Sequence, residues 1–137
     1  MSFASSLASQ LVLAPIALPA LAAPLAVLLM LRRRAAGVAV SFASCVAVLG
    51  VAIALLVLSA DGTVRTYEVG DWPAPFGIVL VLDRLSAIML TLTAALALIA
   101  LVHATVTRVD RDGWHFHPLF QFQLMGLNGA FLTGDLF

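Results

Sequence analysis

The chain has 137 residues, of which 63% are hydrophobic and only 10% are charged. A soluble domain of this size cannot bury so much apolar surface in one core, so the composition excludes an ordinary soluble globular protein. Seven arginines balance seven acidic residues and lysine is absent, which gives no support for nucleic acid as a partner. The apolar residues fall into blocks of about 20, the length that a helix needs to cross a bilayer. The sequence therefore predicts an all-α, polytopic membrane protein solvated by lipid.

The first two apolar blocks predict an antiparallel helical hairpin over residues 11–31 and 37–58, joined by a very short arginine-rich turn. Three prolines in the first block would each cost an isolated helix about 3 kcal/mol, but neighbouring helices can satisfy the freed carbonyl groups. We therefore expect a kinked first helix, or one that starts at Pro15 or Pro19. The second block carries small residues at four-residue spacing, at Gly37, Ser41 and Cys45. Such a ridge allows a neighbouring helix to approach closely.

The segment of residues 60–82 carries turn signals and two β-prone runs, TVRTYEV and GIVLVL. These runs predict a short β-hairpin-like loop lying on the membrane surface. Asp83 follows as the predicted N-cap of a third helix over residues 84–107, since its carboxylate can accept the free amides of the first turn. Pro118 opens a fourth predicted helix over residues 118–134, at a position where its missing N–H costs nothing.

The arginines predict the orientation of the chain, because short loops rich in arginine stay in the cytoplasm. Arg32–Arg34, Arg108 and Arg111 fall on one side of the predicted helices, whereas the loop between the second and third helices carries only Arg65. The N-terminus and that loop are therefore predicted to be outside. Because no internal repeat or linker interrupts the sequence, residues 1–137 are predicted to form a single membrane domain.

The fourth predicted helix carries polar residues on one side and small residues on the other. Gln121 and Asn128 lie seven residues apart, and therefore on nearly the same face, and Asp135 would extend this row. The small residues, roughly on the opposite face, are Gly126, Ala130 and Gly134. Buried amides need partners and glycines permit close backbones, so this helix is expected to have protein neighbours on both faces. Gln121 and Asn128 either provide interhelical bonds worth about 0.6 kcal/mol each, or line a hydrated ion path.

The stretch LTGDLF at the end of this block predicts a turn between two helices. A carboxylate at the end of a helix opposes the helix dipole, so Asp135 is poorly placed within the fourth helix. Both residues become favourable if Gly134 is a left-handed residue that ends this helix and Asp135 is the N-cap of a following one.

The histidines give weaker signals. His115 and His117 form an H-x-H pair, but two imidazoles without further ligands rarely hold zinc, so no metal site is predicted. His103 lies near the predicted cytoplasmic end of the third helix, where it is either an interfacial side chain or part of a proton relay. The sequence shows no Ser-His-Asp arrangement, glycine-rich phosphate loop or cysteine cluster. It therefore predicts no catalytic residues and no cofactor.

The stretch HPLFQFQLMGLNGAFLTGDLF, with the upstream DWPAPFGIVLVLDRLSAIMLTLTAALAL, resembles the D subunits of the Mrp-type multisubunit monovalent cation/proton antiporters. These subunits are similar to the antiporter-like membrane subunits of respiratory complex I. The resemblance covers about the last half of the chain, and NGAFLTGDLF is its most specific motif. Family members are much longer, so the resemblance implies that the chain is an N-terminal part. It also implies an essential glutamate and a lysine on helices beyond Phe137.

The resemblance further implies a transporter subunit rather than an enzyme. It implies exchange of cytoplasmic Na⁺ or K⁺ for external protons in a bacterial plasma membrane, driven by the proton motive force and carried out with other subunits. Asn128, Gly134 and Asp135 match the family motif and are assigned to shaping the start of the next helix. The predicted helices contain no Asp, Glu, Lys or Arg at mid-membrane, so the chain alone is not expected to move ions.

Two alternatives stay open at this stage. One is a proton-translocating, antiporter-like subunit of a complex I or membrane-hydrogenase assembly. The other is a self-contained four-helix membrane scaffold protein.

Overall fold

The computed structural model describes residues 3–69, 72 and 77–134, which form four long helices and one two-stranded sheet. The helices are α1 (Phe3–Arg32), α2 (Arg34–Leu58), α3 (Arg84–Val106) and α4 (Phe116–Leu132), and the strands are β1 (Arg65–Glu68) and β2 (Val79–Leu82). Short 3-10 turns cover Ser59–Asp61 and Val109–Arg111. Helix α1 packs against α2 and α4, and α3 packs against α2 and less closely against α4. The fold is mostly helical, as the composition predicts.

Three helical segments of the described chain are long and apolar enough to cross a membrane: Gln10–Arg32, Arg34–Asp61 and Arg84–Val106. Their outer surfaces expose large aliphatic side chains, such as Leu21 at 70% and Ile99 at 65%. An exposed apolar surface of this extent requires lipid or another protein against it. The chain is therefore a multi-pass membrane protein. Helix α4 has 17 residues and does not belong to this group, so the fourth span stays a prediction.

Helix α1 runs without a break through its three prolines. It begins at Phe3, so the expectation that the helix starts at Pro15 or Pro19 is wrong. Proline removes an N–H from the ladder and leaves the carbonyl four residues earlier without its usual partner. Pro15 and Pro19 are fully buried, where neighbouring helices can supply such a partner.

The small-residue ridge of α2 is buried in the bundle. A Cβ atom on Gly37 would overlap the side chain of Met30 and lie 3.2 Å from the carbonyl oxygen of Ala26, both in α1. The two helices therefore approach each other closely at Gly37, shortly after the turn that joins them.

Gly37→Ala should lower the free energy of unfolding by about 1–2 kcal/mol, because overpacking outweighs the better helix propensity of alanine. Gly50→Ala is the matched control in α2, since a Cβ there meets no atom within 4 Å. It should be neutral or slightly stabilising. Unfolding of both variants in detergent micelles, followed by circular dichroism, gives the comparison. Equal stability of the two would contradict the close approach of α1 and α2.

The two β-prone runs pair as an antiparallel hairpin, with Arg65 opposite Leu82 and Glu68 opposite Val79. The hairpin does not simply lie on a surface, because Leu80 and Leu82 of β2 are 3% and 0% exposed and belong to the hydrophobic core. Strand β2 contacts α1, α3 and α4. The hairpin therefore closes one end of the helix bundle.

Helix α3 has defined ends. Asp83 precedes it in an extended conformation, and its Oδ1 accepts a hydrogen bond of 2.7 Å from the backbone N–H of Ser86, which is the capping predicted for this residue. At the other end Arg108 takes a left-handed conformation, with φ of 63°, and the chain turns toward α4. The turn that follows lies at the same end of the bundle as the turn between α1 and α2.

Candidate functional site

One side of α4 carries three polar side chains in the interior of the bundle. His117, Gln121 and Asn128 are each 0% exposed. They are separated by four and seven residues, so they lie along one side of the helix over about 16 Å. Leu124 and Leu132 are the buried apolar residues of the same side. We call this side the inner face of α4; it packs against α1 and α2.

Gln121, in the middle of the inner face, is held by α2. The hydroxyl of Ser44 donates to Oε1 of Gln121 over 2.8 Å, and Nε2 of Gln121 donates to the backbone carbonyl of Ser41 over 3.3 Å. The same nitrogen lies 3.7 Å from the sulfur of Cys45. Both ends of the amide therefore have partners on one neighbouring helix. This is the bonding expected of a polar side chain that holds two helices together in an apolar environment.

Asn128 is bonded to α1 at a place that the prolines create. Its Nδ2 donates to the backbone carbonyl of Pro15 over 2.7 Å. In an uninterrupted helix that carbonyl would accept from the N–H of residue 19, but residue 19 is proline and has no N–H. Asn128 thus supplies the donor that Pro19 removes. The prolines of α1 and the asparagine of α4 are two parts of one contact.

A charged cluster lies at the N-terminal end of the inner face. Nη2 of Arg34, at the start of α2, donates to the backbone carbonyl of Asp110 over 2.6 Å and to its Oδ2 over 3.0 Å. Nε2 of His117 lies 3.3 Å from the same Oδ2. Asp110 and His117 are buried, whereas the Arg34 side chain is 40% exposed. Asp110 therefore joins the two turns at this end of the bundle.

The environment of Asp110 favours its ionised form. Burial raises the pKa of this carboxyl, but the hydrogen bonds and charges of His117 and Arg34 outweigh burial and place the pKa below its ordinary value. Since the ionised carboxylate can only accept hydrogen bonds, we assign the proton of neutral His117 to Nε2, which leaves Nδ1 as an acceptor.

Sequence reasoning singled out Gln121 and Asn128 but missed Arg34, Asp110 and Ser44. It also considered His117 only as a metal ligand together with His115. One signal was available: His117 lies four residues before Gln121 and therefore on the same face of a helix. The contact between Arg34 and Asp110 spans 76 residues and has no local signature.

The outer face of α4 differs from the inner one. Gly126 and Ala130 are exposed, and a Cβ on Gly126 would meet no described atom within 4 Å. The expected second protein neighbour is therefore absent from the described part of this chain. This face stays available for another helix or for lipid.

Gly134 has a different role from the one predicted. The φ angle of Gly134 is not in the left-handed region. Among the glycines of the described residues, only Gly62 has a left-handed conformation. The backbone N–H of Gly134 instead donates to the carbonyl of Val79 over 2.9 Å, and a Cβ there would overlap the side chain of Val81. The prediction of a left-handed helix end is therefore wrong. Gly134 allows the chain after α4 to pass closely along β2.

The remaining predicted residues do not join the inner face. His103 is exposed on α3, and His115 is exposed beside Trp114. His115 and His117 therefore lie in different environments. Within residues 3–69, 72 and 77–134, no group of three or more His, Cys, Asp or Glu side chains could hold a metal ion. Asp135, predicted to cap a following helix, lies outside the described residues.

Comparison with curated proteins finds antiporter subunits. The chain is 48% identical over 133 residues to the D subunit of a probable K(+)/H(+) antiporter of Rhizobium meliloti, covering 93% of this chain and 24% of that protein. It is 40% identical over 95 residues to the Na(+)/H(+) antiporter D subunit of Alkalihalophilus pseudofirmus, covering 66% of this chain and 19% of that protein. A third relative is the NADH-quinone oxidoreductase N subunit of Desulforudis audaxviator, 39% identical over 89 residues, covering 63% and 18%. No protein-family model matches the sequence.

The solved structures give a consistent result. A chain of the Mrp complex from Dietzia sp. DQ12-45-1b superimposes with a TM-score of 0.81 at 35% sequence identity, covering 95% of this chain and 24% of that one. The chain thus spans about a quarter or less of the length of the proteins it matches. In sequence and in fold, it belongs to the family of the Mrp-type antiporter D subunits.

Proposed function

We propose that the chain is the N-terminal part of a membrane subunit that exchanges cytoplasmic Na⁺ or K⁺ for external protons within a multisubunit antiporter. The observation that carries this proposal is the 48% identity, over 93% of the chain, to the D subunit of a probable K(+)/H(+) antiporter. The exchange is driven by the proton motive force, and the other subunits of the complex are the partners. The location is the plasma membrane of a bacterium.

The distribution of arginine supports an orientation with the N-terminus outside. The contact between Arg34 and Asp110 holds the α1–α2 and α3–α4 turns at one end of the bundle, and five of the seven arginines lie in or beside these turns. Arg65, in β1, belongs to the hairpin that closes the opposite end. Because arginine-rich short loops stay in the cytoplasm, the end with the two turns is cytoplasmic and the hairpin is external.

In this proposal α1 to α4 form a wall of the transporter rather than its ion-binding centre. The charged contacts of the inner face involve Arg34 and Asp110, both at one end of the bundle, while the described side chains in the middle of the face are uncharged. Gln121 and Asn128 hold α4 against α2 and α1. A charge at mid-membrane costs about 2.5–3.5 kcal/mol, so ion transfer needs the acidic and basic residues of further helices.

Everted membrane vesicles from a bacterium that lacks its own antiporters test the proposal. Vesicles that contain the assembled complex, with this sequence at the start of its D subunit, should dissipate a pH gradient when Na⁺ or K⁺ is added. Vesicles with the 137-residue chain alone should not. Loss of the response to both cations in the assembled complex, or growth rescue in high sodium by the chain alone, would contradict the proposal.

A role in a respiratory assembly is the second candidate, favoured by the identity to the N subunit of an NADH-quinone oxidoreductase. In that case the gradient would form on addition of a reduced electron donor rather than collapse on addition of a cation. The same vesicles distinguish the two, as do the genes next to this one: small antiporter subunits support the first, and quinone or iron–sulfur subunits support the second.

A further inference from the structure

Several buried polar atoms around the inner face of α4 have no hydrogen-bond partner. Among the described side chains these are Oδ1 of Asp110, Nδ1 of His117, Oγ of Ser41 and Oδ1 of Asn128. Their residues are 0–4% exposed. Each of the four residues already makes a hydrogen bond of the inner face through another of its atoms. Each of these atoms is therefore buried without a hydrogen-bond partner among the described residues.

A buried polar atom without a partner is unfavourable, and proteins rarely keep several such atoms together. Water is the partner of matching size and chemistry, since it can donate to Nδ1 and Oδ1 and accept from a hydroxyl. The spacing of His117 and Asn128 separates their free atoms by about 16 Å along α4, so water at His117 and water at Asn128 would occupy separate positions.

The end of the inner face that carries Asp110 and His117 lies near solvent. An open groove of about 540 Å³ between α2 and α3 is lined by residues that include Arg34, Asp110 and Arg111. The opposite end of the inner face, near Asn128, is closed by buried leucines: Leu80, Leu82 and Leu132. Protons can therefore reach His117 from the arginine-rich end, where Asp110 and His117 are the first buried groups.

We propose that His117 is a proton-binding site, with Asp110 as its counter-ion and with the groove beside Arg34 and Arg111 as its proton route. Neutral His117 carries its proton on Nε2 and donates a hydrogen bond from it to Oδ2 of Asp110. Nδ1 takes a proton from a hydronium ion that enters from the groove, which leaves a water molecule and an imidazolium ion. The reverse step returns the proton to water, so His117 exchanges protons at Nδ1 while Asp110 keeps the ring in place.

The groups around His117 set the charge balance of this step. Asp110, from the turn before α4, contacts the ring, and Arg34 of α2 lies behind Asp110. Cys45 of α2 lies farther along the inner face, beside Gln121. From α1, Arg32 and the following Arg33 are exposed, and α3 places His103 on an exposed surface. Asp110 is therefore the one acidic group that contacts His117 in the described part of the chain.

Nitrogen NMR of the full chain in lipid nanodiscs tests the binding site directly. His103→Gln and His115→Gln together leave His117 as the only imidazole. Its two ring nitrogens should change from the signals of a neutral Nε2–H ring to those of an imidazolium as the pH is lowered from 8 to 4. Asp110→Asn should move this transition by at least one pH unit toward acid. Signals that stay constant over the whole range, or a transition that Asp110→Asn does not move, would overturn the proposal.

The role of this site in transport rests on the proposed function, and a second measurement separates the two. His117→Gln keeps a side-chain N–H for Asp110 but cannot bind a proton, so in the assembled complex it should shift the pH of half-maximal exchange. Asp112→Asn, in the same turn and exposed, should leave it unchanged. An unshifted profile in His117→Gln would overturn the transport role. A titrating His117 in a complex without any exchange would overturn the proposed function and leave the proton-binding site standing.

Discussion

Asp110→Ala should lower the free energy of unfolding by about 2–3 kcal/mol. It removes the acceptor of fully buried His117 and the charged partner of Arg34. Breaking a buried pair costs about 3–5 kcal/mol, and we expect less because the Arg34 side chain is 40% exposed and keeps its bond to the backbone carbonyl of residue 110. Denaturation in mixed micelles by titration with an ionic detergent measures the change.

Asp112→Ala is the control for this experiment, because Asp112 lies two residues away and is exposed. It should change stability by less than about 0.5 kcal/mol. The Asp110 contribution should also depend on pH. The pKa of Asp110 in the folded protein is below the ordinary value of an aspartate, which is about 3.9. The contribution of Asp110 to folding stability is therefore complete above the ordinary value, and it is lost as the pH falls through the lower pKa of the folded state. Similar losses in both variants would contradict the central position of Asp110.

Asn128→Leu should destabilise the bundle by about 1–2 kcal/mol. The substitution keeps the size of the side chain but removes the donor to the Pro15 carbonyl, which Pro19 cannot replace. The loss is limited because Oδ1 of Asn128, itself without a partner, is removed at the same time. Gln123→Leu on the exposed surface of α4 is the matched control and should be neutral or stabilising in a membrane mimetic. A larger loss in Gln123→Leu than in Asn128→Leu would show that the outer face, not the inner one, holds α4.

Much of the architecture follows from local patterns. Blocks of apolar residues predict, within a few residues, the three segments that are long and apolar enough to cross a membrane, and the β-prone runs predict the hairpin, because length and alternation are local properties of the sequence. The spacing of Gln121 and Asn128 places both on one face of α4. The carboxylate of Asp83 is found where a helix start requires it.

The contacts that assemble the site could not be predicted in the same way. The partner of Asn128 is a backbone carbonyl 113 residues away, and it is free only because a proline follows it by four residues. Gly134 followed by Asp135 has the local signature of a helix end and a cap, yet the backbone of Gly134 pairs with β2 instead. In both cases tertiary packing supplied the hydrogen bond, and no local pattern records it.

The bond that joins α4 to α1 can be tested by a double-mutant cycle, which is the most direct measurement of how the inner face holds the bundle together. Pro19→Ala restores an N–H that can donate to the Pro15 carbonyl within α1. The cost of Asn128→Leu should therefore fall by about 1 kcal/mol or more in the Pro19→Ala background, as expected for coupled residues. The same cost in both backgrounds would contradict the contact of Asn128 with Pro15, and with it the placement of the polar face of α4 inside the bundle.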